Sequence, residues 1–131
     1  MLYKILLHFH SGWAYLTILM GVMFLIIVGF YALNRRARDK FVRKLGLFTI
    51  ITFHVQLVTG AILYFISPKV ESGDTFYVLE HPIMMFTAVL LMTVANSKLK
   101  KEKIVGIVTM LLALVAMICL LVMIPWGEWS K

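Results

Sequence analysis

Four long stretches of this 131-residue chain contain no Asp, Glu, Lys or Arg: residues 5–34, 45–68, 81–97 and 104–127. A soluble chain of this size cannot bury so much apolar material, whereas runs of about 20 residues suffice to cross a bilayer. The runs are continuous rather than alternating, which excludes a barrel. Backbone groups in hydrocarbon must be satisfied within their own element, which leaves helices. The absence of carboxylates from these runs argues against an ion or proton pathway for transport. Cysteine is nearly missing too. Cys119 stands alone in the fourth run, so neither a disulfide framework nor a thiolate metal cluster is available.

What is present is 62% hydrophobic residues, a mean hydropathy of +0.95 and a net charge of +7. The charge has a pattern that argues against a nucleic-acid partner. Arg35, Arg36, Arg38, Lys40, Arg43 and Lys44 fall between the first two runs, and Lys98, Lys100, Lys101 and Lys103 between the last two. Lys4, Lys69 and Lys131 fall on the other side, with Glu71, Asp74, Glu80 and Glu128. This asymmetry places the basic loops in the cytoplasm, against anionic headgroups, and both termini outside. The N-terminal run lacks a small-residue cleavage pattern and ends in a basic stop-transfer cluster, so it reads as a retained helix, not a signal peptide.

The expected fold is one all-α integral membrane domain over residues 1–131. Helices are predicted at about 9–33, 44–66, 81–97 and 104–125. Short basic loops make neighbours antiparallel, giving an up-and-down four-helix transmembrane bundle. Ser67-Pro68 and Pro125 close the second and fourth helices, because the residue before proline leaves helical geometry. Pro82 suits the first turn of the third helix. Trp13, Tyr15, Tyr64, Tyr77, Trp126 and Trp129 form an aromatic belt at the outer interface, and Tyr31 and Phe41 do the same inside.

At 100° per residue, His10, Ala14, Thr17, Gly21 and Val28 share one face of the first helix. His81, Met85, Ala88, Met92 and Ala95 share a face of the third, and Gly106, Met110, Ala113 and Met117 a face of the fourth. Small residues let membrane helices approach and methionines fill gaps; the same stripes leave a slot for a flat macrocycle. On the second helix Thr49, Thr52, Gln56, Thr59 and Gly60 make a polar stripe. It can satisfy itself by bonds between helices or back to carbonyls, and Gln56 and Thr52 are equally suited to a quinone headgroup. His54 lies opposite, among Leu47, Ile50, Ile51, Val58 and Ala61. A buried imidazole there needs a partner: an iron, a quinone carbonyl or a residue of a second subunit.

Imidazole is a common ligand of haem iron, and a porphyrin otherwise asks only for greasy walls. Zinc is disfavoured, since the spans hold no carboxylate or cysteine pair to complete a site. Depth makes His10 and His81 the better-matched axial pair, both near the outer interface. His54 lies roughly 18 Å deeper and would pair through a lower His81, through Met85 or Met92, or through a second subunit. Trp13, one turn below His10, either stacks on a macrocycle edge or anchors the interface. His8 and Lys4 are peripheral candidates for a haem propionate.

Three runs carry a resemblance. They are Leu7-His8-Phe9-His10-Ser11-Gly12-Trp13-Ala14-Tyr15-Leu16, His54-Val55-Gln56-Leu57-Val58-Thr59-Gly60-Ala61-Ile62-Leu63-Tyr64-Phe65 and Glu80-His81-Pro82-Ile83-Met84-Met85. Together with Ile124-Pro125-Trp126 they resemble small four-helix bacterial membrane proteins labelled cytochrome b or uncharacterised, chiefly from Bacteroidetes. That resemblance implies haem b held by membrane histidines, here His10, His54 and His81, in the bacterial inner membrane. A looser likeness, through Lys4-Ile5-Leu6-Leu7-His8 and Trp13, is to four-helix haem-containing protoporphyrinogen oxidases; the lysine–histidine spacing departs from that pattern. The expected function is electron transfer through a haem b, linked to the quinone pool and a partner complex. The alternatives are a structural or accessory subunit without cofactor, as a homo-oligomer or within a larger complex, and a quinone-linked porphyrin-oxidising enzyme. No catalytic base stands out, so a stand-alone enzyme is the lesser expectation.

Overall fold

The computed structural model describes residues 1–129. Lys131 and the side chain of Trp129, used above for charge asymmetry and the aromatic belt, lie outside the described residues. The chain folds into helices α1 (Leu2–Leu33), α2 (Lys40–Ile66), α3 (Pro68–Glu71), α4 (His81–Lys101), α5 (Ile107–Val122) and α6 (Trp126–Trp129). α1, α2 and the run Phe76–Lys101 are long and apolar enough to cross a membrane. The surface agrees: Leu19, Ile26, Phe30, Phe48, Phe86 and Ile118 all point outward. This is a helical, membrane-associated protein.

Several helix ends differ from expectation, each for a local reason. α1 begins at Leu2 and not near residue 9, because residues 2–8 contain no proline or glycine. Lys4 does not end the helix, since a long cationic stem can lie along apolar surface with its head in water. α2 begins at Lys40, four residues early, because Asp39 caps it by accepting from the Val42 N–H at 2.9 Å. α4 runs to Lys101, with Lys98, Lys100 and Lys101 in its last turn where cations suit the helix dipole. α5 spans only Ile107–Val122 in place of 104–125. At its start, residues 104–105 are extended and paired with 36–38.

α1 packs on α2 and α5, and α4 packs on α5 and α2. Cross-contacts run in opposite chain directions for α1 with α2 and for α1 with α5. His10 meets Gly60 and Met20 meets Thr49 between α1 and α2, while Gly21 meets Met117 and Gly29 meets Met110 between α1 and α5. The expected small-residue faces are the buried ones: Ala14, Thr17, Gly21 and Val28 of α1, Ala88, Met92 and Ala95 of α4, and Ala113 and Met117 of α5. The threonines of the α2 polar stripe are buried as well, with Gln56 and Gly60 half-buried beside them. Thr49 donates to the carbonyl of Leu45 at 2.7 Å, Thr52 to that of Thr49 at 2.7 Å, and Thr59 to that of Val55 at 3.0 Å. These threonines thus bond inside a mainly apolar core while large apolar side chains also cover the outside, a surface that suits a bilayer.

At the basic end, the connections α1–α2 and α4–α5 are strapped together. The Arg38 N–H donates to the Lys103 carbonyl at 2.9 Å and the Val105 N–H to the Arg36 carbonyl at 3.1 Å. The Arg38 guanidinium also donates to the Leu99 carbonyl at 3.1 Å and to the Lys100 carbonyl, so this cation closes α4. The Tyr31 hydroxyl donates to Asp39 at 2.7 Å. The Val42 N–H and then the Tyr31 hydroxyl hold the Asp39 carboxyl below the usual carboxylate range. A depressed folded value means that the contribution of Asp39 is fully present above the ordinary value of about 3.9. It is lost as pH falls through the lower folded value. Asp39→Asn is therefore expected to flatten the acid limb of stability below about pH 4, read by thermal unfolding in detergent. A limb that the substitution leaves unchanged would refute the assignment.

At the opposite, histidine end, α2 passes through α3 and a turn at Gly73 (φ 80°) into one π-helical turn, Phe76–Glu80, continuous with α4. Pro82 explains the irregularity. It has no N–H to offer the Val78 carbonyl one turn back, and that carbonyl accepts from the Tyr64 hydroxyl at 3.2 Å.

Candidate functional site

The histidine end encloses a cavity of about 620 Å³ among α1, α2, α4 and the α5–α6 junction. His8, His10, Gln56, Gly60, Lys69, Tyr77, His81 and Met85 line it, with apolar side chains supplying most of the wall. His10 and His81, matched in depth by the sequence, therefore reach one space from α1 and α4.

Each ring is held through Nδ1. His81 Nδ1 lies 2.8 Å from the Met123 carbonyl at the end of α5. A carbonyl only accepts, so the proton sits on Nδ1 and Nε2 keeps its lone pair. His10 Nδ1 lies 2.9 Å from the Thr59 hydroxyl oxygen. That hydroxyl already directs its proton at the carbonyls of Val55 and Gln56, at 3.0 and 3.1 Å. Thr59 must accept, and His10 too carries its proton on Nδ1. Gln56 Nε2 donates to the His10 carbonyl at 2.8 Å and stands 3.5 Å from His10 Nε2. The buried Gln56 Oε1 has no partner among the described residues. A β-carbon at Gly60 would stand 3.1 Å from His10 Cε1, so glycine is what lets the imidazole lie against α2.

The other expected site residues are distributed differently. Met85 lines the cavity. His8 reaches it from an exposed position, whereas Lys4 is not in its wall. Trp13 is not in the wall either. Its indole N–H donates to the Thr52 carbonyl at 3.0 Å and its ring stacks on Phe9 at 5.5 Å, so it braces α1 on α2. His54 departs furthest from expectation. It is exposed, not buried, and pairs with Thr93 of α4 at 3.3 Å on the outside of the bundle. The reason is that α2 buries its polar stripe, which turns the opposite, apolar face outward and His54 with it.

Two features of the site had no clear signal in the sequence. The Met123 carbonyl is backbone, which any residue supplies. Lys69 lies in the long connection, and only the folding of α3 against the cavity brings it into the wall. Among the described residues no three or more His, Cys, Asp or Glu side chains gather as a metal ion's ligand set. Two imidazoles suffice only where another donor set, such as a macrocycle, supplies the rest. No protein-family model, curated protein or solved structure matches this chain.

Proposed function

We propose that this chain is a haem b-binding electron-transfer protein of the bacterial inner membrane. Its three long helical spans and the shorter α5 cross the bilayer antiparallel, with both termini outside and the basic connections cytoplasmic. The observation that carries the reading is the pair His10 and His81 in one apolar cavity, each with Nδ1–H already engaged.

The fit rests on three properties of the cavity. Its volume lies within the roughly 300–1,000 Å³ usual for cofactor sites. Its walls are apolar, as the body of a porphyrin requires. Its two imidazoles each keep Nε2 unprotonated, that of His10 accepting from Gln56 Nε2 at 3.5 Å, a bond the iron would replace. The partners at Nδ1 fix ring orientation and raise basicity, as outer-sphere partners of metal-bound histidines do. Haem, when bound, supplies a one-electron ferric–ferrous couple. The protein's contribution is to hold the rings, exclude water with Phe53, Val89 and Leu120, and hold Met85 near as an alternative donor. His54 takes no part in this pair. Electron exchange with a quinone and with a partner complex belongs to the same proposal.

The test is the optical spectrum of detergent-purified protein expressed with ample haem. Sharp α and β bands on reduction are expected, and the absence of a Soret band would refute the reading. A second reading, a cofactor-free accessory subunit or homo-oligomer, is favoured by His54. Thr93 commits its proton to the Val89 carbonyl at 2.7 Å, so His54 donates from Nε2 and leaves Nδ1 as an exposed acceptor. Such an atom on a lipid-facing surface favours a covering chain. That reading predicts no stoichiometric haem and a second chain copurifying at fixed ratio.

A further inference from the structure

The mouth of the cavity carries a cation that the two-histidine proposal leaves unused. Lys69 projects from α3, and its Nζ lies 3.1 Å from the Tyr77 hydroxyl, 4.6 Å from the centre of the Tyr77 ring and 3.5 Å from a Glu128 carboxylate oxygen. Lys69, Tyr77 and Glu128 all line the cavity. Among the described residues lining it, Lys69 is the only lysine or arginine. The three come from α3, the π-helical turn and α6, so one ammonium ties together three short segments at the end of the bundle.

This placement makes the cavity amphiphilic in a definite direction. Away from Lys69 its walls are mostly apolar and hold no lysine or arginine among the described residues, so a carboxylate there would lose water without gaining a cation. Its mouth offers an ammonium with three donors, two of them turned to the Tyr77 hydroxyl and the Glu128 carboxylate and the third left for a ligand acid group. An apolar ligand bearing acid groups has one favourable orientation there, with its body inward and its carboxylates at Lys69. We infer that Lys69 recognises the carboxylates of the cavity's ligand, so the site selects a dicarboxylate tetrapyrrole with its acid arms toward the 67–80 connection. This inference rests on the haem-binding reading and adds to it both an orientation and a specificity residue. It assigns to Lys69 the role that sequence position alone offered to Lys4 and His8.

The test titrates the full-length apoprotein in detergent with haem b and, separately, with haem b dimethyl ester, which lacks the anionic charges. Wild type is expected to bind the free acid about tenfold more tightly, the scale of one charge-assisted hydrogen bond at a partly exposed site. Lys69→Gln is expected to bring the ratio close to one while both complexes keep a low-spin spectrum, and Lys69→Arg to restore the preference. A ratio near one in wild type, or a preference undiminished in Lys69→Gln, overturns the role of Lys69 and leaves haem binding standing. Failure of wild type to bind either form overturns both readings together. Equal weakening of both complexes in Lys69→Gln, with the preference for the free acid retained, would make Lys69 only a structural tie and overturn the inference.

Discussion

On the haem-binding proposal, replacing His81 with alanine is expected to abolish the low-spin spectrum and to weaken haem binding by at least about a hundredfold. His10→Ala should do the same, and His54→Ala should leave both spectrum and stoichiometry unchanged. The contrast follows from position. His10 and His81 line one cavity, while His54 faces outward and is bonded to Thr93. His81→Ala also removes the bond to the Met123 carbonyl, so loss of signal could come from a loosened α4–α5 contact. Added imidazole separates these effects. It should restore the spectrum in a folded protein with an empty ligand position and fail to do so in an unfolded one. A low-spin spectrum with a raised potential in His81→Ala would instead assign the ligand role to Met85, because thioether ligation raises potential. Loss of the spectrum in His54→Ala would contradict the placement of that residue.

Gly21→Leu is expected to have the largest effect on stability, about 3 kcal/mol or more. Gly21 of α1 sits where α5 and α2 converge, and even a β-carbon there would run into the Met117 thioether and approach Phe53. Phe53 is fully enclosed and Met117 nearly so, at 0% and 2% exposure, leaving little room for an added isobutyl group. Gly21→Ala should cost much less, about 1 kcal/mol, because the obstructing atoms are the far end of a flexible methionine. Met117→Ala in the same chain should recover part of the Gly21→Leu loss, the coupling expected of residues in contact. Denaturation by sodium dodecyl sulfate in mixed micelles reads all three variants. A Leu variant as stable as wild type would mean that α1 and α5 are not apposed at Gly21.

Much of this fold is legible in the sequence because the bilayer simplifies the problem. Uncharged runs mark helices, and small residues repeating at helical spacing mark the faces that touch. Ala14, Thr17 and Gly21 or Ala88, Met92 and Ala95 need no further information to be paired inward. Helix ends are less legible, because charge marks where a segment enters the membrane and not where its hydrogen bonds begin. Leu2 and Lys40 extend their helices beyond the apolar boundary for that reason, and residues 104–105 leave α5 because the Arg36–Arg38 backbone bonds them.

Composition and periodicity by themselves determined that this chain is helical, that it belongs with membranes, and that His10 and His81 stand at similar depth, since each of these depends only on spacing along one helix. The tertiary structure decided the rest. It turned His54 outward, because burying the threonine–glutamine stripe fixes the rotation of α2. It set the proton on Nδ1 of both cavity imidazoles through Thr59 and the Met123 carbonyl, partners 49 and 42 residues away in the chain. It carried Lys69 to the mouth of the cavity. Those relations depend on how separate helices rotate and meet, and no periodicity within one helix encodes that.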